Sequence, residues 1–282
     1  MSESALVFSH LISAQEVVGS YAAFLHERYP GHYPLFQRRR TANPEAASAE
    51  ARMFSWLRSD GLSPEVAEHP GRGGMDFRCR PPHLPEFMLE VTSLEDEAVA
   101  GQSSWRDTGG FFGLITPKLR STVSGKVDQL KDYSMPRVLA ITSSHLGARA
   151  LFDHLGAQAL LISGLTYSMP LGQAGPVTWV TDLKNSVFFK PGEKGAIVAC
   201  RRSVSALLLV SMWSNPIEIV GLLHPDPVHH LDIRTFPGLP FVRMRQWPVV
   251  GRIISTEWTG ADPKQVYNSL VEFTDEELDD TR

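Results

Sequence analysis

The sequence predicts an α/β chain with a β-rich C-terminal part, on three observations. Apolar residues recur at helical spacing within 14–28 and 45–58. They alternate with a period of two within 75–80 and follow the same two-faced pattern within 87–94. Beyond residue 156 the apolar runs are short and separated by turn residues. Of the 282 residues 43% are hydrophobic, enough for a packed core and too many for a disordered chain.

The elements follow in order. Val17, Val18, Tyr21, Phe24 and Leu25 mark the first helix. Arg38, Arg39 and Arg40 come next, and 41–44 reads as a break. Pro44 suits the first turn of a second helix, which runs to about Arg58 and stops at Asp60-Gly61. Strands are expected at 64–68, 75–80 and 87–94, the last two joined by a turn rich in proline at 81, 82 and 85. A long loop over 98–113 leads to a helix over 117–133, a strand over 138–142 and a helix over 145–155. Further strands are expected at 160–162, 177–181, 196–200, 205–212 and 217–223, with an acidic tail at the end. The chain thus divides into an N-terminal helical segment (1–40), a core (41–155) and a β-rich extension (156–282) packed on it.

Composition narrows the function classes. With 31 acidic and 27 basic residues the net charge is −4, unlike a protein that coats nucleic acid without specificity. A local basic groove stays open. Two cysteines, Cys79 and Cys200, make no disulfide framework and no paired zinc spacing. The longest apolar run, 204–213, is shorter than the roughly 20 residues a membrane helix needs. No basic leader followed by an apolar stretch opens the chain, so a cytoplasmic protein is expected.

Three carboxylates stand where apolar residues belong. Glu50 has Met53, Phe54 and Leu57 at i+3, i+4 and i+7, inside the apolar stripe of its helix. Asp76 and Glu90 face one another if the 75–80 and 87–94 strands form a hairpin that pairs Arg80 with Glu86. Opposed carboxylates repel unless a cation lies between them. A divalent ion such as Mg²⁺ or Mn²⁺ resolves that conflict, because hard cations take carboxylate oxygens. Thr92 is on the same strand face as Glu90. Pairing with Arg52, Arg78 or Arg80, or plain solvent exposure, is the structural alternative for these acids.

The ordered set Glu50, Gly73-Gly74-Met75-Asp76-Phe77 and Phe87-Met88-Leu89-Glu90-Val91-Thr92 resembles the PD-(D/E)xK nuclease superfamily. The resemblance covers about 41–155. It implies a restriction-endonuclease-like core, a mixed sheet flanked by helices, in the order helix, three strands, helix, strand. Met75 stands where proline is usual, and Thr92 where the catalytic lysine is usual. In some members the lysine resides on the following helix, where this chain has Lys126. Lys126, Gln129 and Tyr133 share a helical face, and Gln129 to Tyr133 resembles the Gln-x-x-x-Tyr element of some of these nucleases.

The resemblance implies Mg²⁺-dependent hydrolysis of phosphodiesters, with DNA the expected partner. Asp76, Glu90 and the Val91 carbonyl would ligate metal, Glu50 would hold a second ion or a water, and Lys126 would position water or phosphate. Thr92, Gln129, Tyr133, Arg78 and Lys118 are the expected nucleic-acid contacts. Arg38 to Arg40, Arg80, Arg106, Arg120 and Lys131 could extend the basic groove, with Trp105 beside Arg106. No membrane partner is expected, and a homodimer or a larger defence-type assembly fits. Two alternatives remain: a degenerate nuclease fold acting as a binding or assembly module, and an unrelated α/β protein with structural acids. Elsewhere, His224, His229 and His230 lack a zinc spacing, and Gly71-Arg72-Gly73-Gly74 is no phosphate-binding loop.

Overall fold

The computed structural model describes residues 13–69, 74–94, 119–126, 133–145, 152–162, 165–168, 178–181, 186–193, 196–213, 216–249 and 254–262. Three helices open the chain. α1 (Ala14–Arg28) begins with a capping box in which Ser13 and Glu16 satisfy each other's backbone amides. α2 (Tyr33–Ala42) covers the arginine triplet and the first half of the 41–44 stretch read as a break. α3 (Pro44–Ser59) starts with Pro44 in its first turn and Asn43 capping the Ala46 amide at 2.9 Å.

The remaining elements build the sheet and its second cover. They are β1 (Pro64–Val66), β2 (Phe77–Cys79), β3 (Phe87–Leu94), β4 (Arg137–Ser143), β5 (Leu165–Ser168), β6 (Thr178–Thr181), β7 (Phe189–Pro191) and β8 (Ile197–Ala199). β9 (Ala206–Ser211), β10 (Glu218–Leu223), β11 (Pro240–Met244) and β12 (Thr256–Gly260) follow. Residues 119–126 are helical (α4), and α5 is His154–Ile162. The 160–162 segment expected as a strand is therefore the end of a helix. A three-residue apolar run has no period of its own, and here it continues the apolar stretch that starts at Leu155.

One mixed sheet of eight strands runs in the order β1-β2-β3-β4-β9-β10-β11-β12. β1, β2 and β3 are antiparallel neighbours, whereas β3-β4 and β4-β9 are parallel. Strands from the C-terminal half thus continue the sheet directly from β4. β5-β6 and β7-β8 form separate two-stranded ribbons.

Both faces of the central strands are covered, which explains their unbroken apolar runs. Phe77, Leu89, Val138, Ala140, Leu208 and Val210 pack with α1 and α3 residues such as Leu25, Met53 and Phe54. Leu139, Ile141, Leu207 and Leu209 point the other way, toward Leu119 and Val123 of α4 and Leu160 and Leu161 of α5. Among the described residues no helix is long and apolar enough to cross a membrane.

Gly221 pins the far half of the sheet. It pairs with Phe241 across the parallel β10-β11 ladder, and a Cβ there would stand 2.1 Å from the Phe241 ring. Glycine ordinarily weakens a strand relative to alanine, but here the ring occupies the space of a side chain. Gly221→Ala is expected to lower stability by about 1–3 kcal/mol in urea denaturation, as overpacked cores do. A gain in stability would contradict this packing.

Candidate functional site

The site forms where α2, α3, the end of β1 and the β2-β3 hairpin meet. The hairpin register pairs Phe77 with Leu89, Arg78 with Met88 and Cys79 with Phe87. Extended by one residue at each end, it sets Asp76 against Glu90 and Arg80 against Glu86. Gly74 leads into Asp76 with a φ of 133°, a conformation that side chains rarely adopt. The Met75 amide then donates to the Tyr133 hydroxyl at 3.2 Å, which fastens the chain just before Asp76.

Asp76 lies in the interior at 9% exposure. Its Oδ2 accepts the Val91 main-chain N–H at 2.7 Å. Burial, then Glu90 and Glu50, push its pKa well above the ordinary carboxylate value, and the Val91 N–H and Arg39 offset this only in part. No cation bonds Asp76 directly among the described residues.

Glu90 and Glu50 flank Asp76 from different layers. Met88 and Leu94, on the strand face of Glu90, belong to the core covered by α4 and α5. From α4, Lys126 Nζ donates to Glu90 Oε1 at 2.6 Å. Burial raises the Glu90 pKa, while Lys126 opposes that shift. Glu50 comes from α3, on the other face. Its Oε1 accepts the Tyr21 hydroxyl at 2.9 Å, and its Oε2 accepts Arg39 Nη1. Burial raises its pKa, against Arg39 and Tyr21. Burial also raises the Tyr21 pKa, and Glu50 adds to the effect.

Arg39 and Glu68 were missed as partners of this cluster. Arg39 Nη2 reaches Glu68 Oε2 at 3.4 Å. Burial lowers the Arg39 pKa, but Glu50, Glu68 and Asp76 outweigh it and hold the guanidinium above its ordinary value. Glu68 in turn raises both Glu50 and Glu90. A signal was present in each case. Arg39 lies at i+3 from the buried Phe36, and Glu68 shares its strand parity with Val66. The cavity between Tyr21, Arg39, Glu50, Glu68 and Asp76 is only about 10 Å³.

The other expected contacts fare differently. Arg78 pairs with Glu86, and Arg80 with Glu86 and Glu65, so neither neutralises Asp76 or Glu90. Arg52 donates to the Met212 carbonyl. Thr92 is half-buried, and its carbonyl accepts the Thr142 hydroxyl at 3.4 Å. Tyr133 lies beyond the helical residues 119–126 and serves the Met75 turn. Lys118 and Gln129 lie outside the described residues, as do Trp105, Arg106 and Lys131. His224 engages the Cys200 carbonyl through Nε2 and the Asp226 N–H through Nδ1, and burial lowers its pKa to about 4. That leaves it a structural, neutral histidine.

Hard oxygen donors of the kind Mg²⁺ prefers come together at Asp76 and Glu90, with charge that protein cations do not fully offset. Among the described residues no group of three His, Cys, Asp or Glu stands together as a ready cage. Mg²⁺ needs none, since it commonly uses one or two carboxylates plus water and phosphate. No family model, curated protein or solved structure matches this chain.

The raised Asp76 pKa has a consequence for stability. Unfolded aspartate titrates near 3.9. A folded value above that makes a contribution that is complete below the unfolded pKa and lost as pH rises through the folded one. Asp76→Asn is therefore expected to stabilise the metal-free protein at pH 7, a gain that shrinks as pH falls toward the unfolded aspartate value of about 3.9. Denaturation curves at the two pH values check this; a gain independent of pH would contradict it.

Proposed function

We propose that this protein is a divalent-metal-dependent nuclease of the PD-(D/E)xK type, acting on phosphodiesters and most naturally on DNA. The observation that carries the reading is the 2.6 Å contact of Lys126 with Glu90, beside the buried Asp76. Thr92 has no charge to offer phosphate, and Lys126 brings an ammonium to that end of β3 from the neighbouring helix. The order α3, β1, β2, β3, α4, β4 supports a restriction-endonuclease-like core, with β9 to β12 as its extension.

In this reading Asp76 and Glu90 hold the ion, with the Val91 main chain adjoining. A divalent ion bound there supplies Lewis-acid charge for water and phosphate. The Val91 N–H fixes the Asp76 carboxylate, so its orientation does not depend on substrate. Lys126, with its side chain 27% exposed, can face phosphate oxygens as negative charge develops on them. Arg39 and Tyr21 hold Glu50 beneath this site.

A second reading, a catalytically silent nuclease fold that binds nucleic acid or organises an assembly, is favoured by Thr92 and by the protein cations already on Glu50 and Glu90. Plasmid incubation with Mg²⁺ or Mn²⁺ separates the two. Cleavage is expected, with Asp76→Ala and Lys126→Ala each lowering its rate by about 10²-fold or more. Cleavage that persists in Asp76→Ala would contradict the assignment. No cleavage of DNA or RNA by the unsubstituted chain would support the silent module.

A further inference from the structure

We infer that Arg39 is a built-in counter-ion: its guanidinium takes the place of a second cation beside Glu50 and Glu68, so the site accepts one divalent ion and not two. This rests on the metal-dependent reading above and specifies the stoichiometry of the same site.

The carboxylates divide into two sets by what already holds them. Both oxygens of Glu50 have protein donors, Tyr21 at 2.9 Å on Oε1 and Arg39 Nη1 on Oε2. The other arm of the same guanidinium reaches Glu68 at 3.4 Å. A guanidinium stays charged at all working pH values, and its planar fork suits two carboxylates at once. Arg39 therefore answers the electrostatic demand of this pair, as a metal ion would.

Asp76 and Glu90 form the other set. Asp76 receives a main-chain N–H from Val91, and Glu90 receives Lys126 on Oε1 together with a main-chain hydrogen bond from Asp76. Within this second pair, the oxygens that no described cation bonds are both those of Asp76 and Oε2 of Glu90. A single Mg²⁺ needs no more than one or two carboxylates.

Removing the guanidinium leaves the buried Glu50 and the half-buried Glu68 without that shared counter-ion, and a second divalent ion can take its place.

Calorimetric titration of the full chain with Mn²⁺ alone tests this. The unsubstituted protein is expected to bind one ion. Arg39→Ala and Arg39→Met are expected to bind two, and adding Glu50→Gln to either returns the count to one. Glu50→Gln by itself, which needs no loss of the arginine, should still bind one ion. Two ions on the unsubstituted chain, or one ion on both Arg39 variants, would overturn the inference and leave the nuclease reading standing. No ion on the unsubstituted chain would sink the metal-dependent reading and this inference with it.

Discussion

The buried Asp76 carboxylate is the constraint around which the site is arranged. It lies between two other acids and receives only a main-chain N–H, while each flanking acid has its own protein cation. A charged group taken from water without compensation costs several kcal/mol. The fold tolerates that cost by supporting Asp76 from every side with rigid structure: the β2-β3 register, the Gly74 turn and the Tyr133 hydroxyl behind Met75. Stability withheld at such a position is a common property of sites built to receive a ligand.

The same arrangement explains why the acids do not form a compact cage. Glu50 belongs to the layer of α1, α2 and α3, whereas Glu90 belongs to the face of α4. Asp76, at the start of β2, is the place where the two layers meet. Each layer supplies one positive side chain, Arg39 from α2 and Lys126 from α4. These two cations differ in kind. Arg39 is a planar fork braced by Glu50 and Glu68, and Lys126 is a flexible ammonium that can exchange partners. The first suits a fixed scaffold, the second a contact with substrate.

Much of this was legible in the sequence where one local rule governed the outcome. Helical periodicity gave α1 and α3, including Glu50 on the buried side, and strand periodicity placed β3 at its observed ends. The register expected if the two strands form a hairpin, Arg80 against Glu86, agrees with the observed Cys79-Phe87 pairing beside it. What stayed hidden depended on contacts distant in sequence. Arg39 looked like part of an exposed triplet until α2 packed on α3 and turned one of the three inward. Glu68 gains meaning only when the end of β1 comes beside Glu50 and Glu90. The 160–162 run failed for another reason: three apolar residues are compatible with either period, and packing against β10 and β11 decided for helix.

The claim most exposed to test is that a divalent ion belongs between opposing strands of this hairpin. Diffraction from Mn²⁺-soaked crystals, recorded at the manganese absorption edge, measures it directly. The account predicts one anomalous peak within coordination distance of an Asp76 oxygen and a Glu90 oxygen. A map with no such peak, and both carboxylates still held only by protein groups, would contradict it.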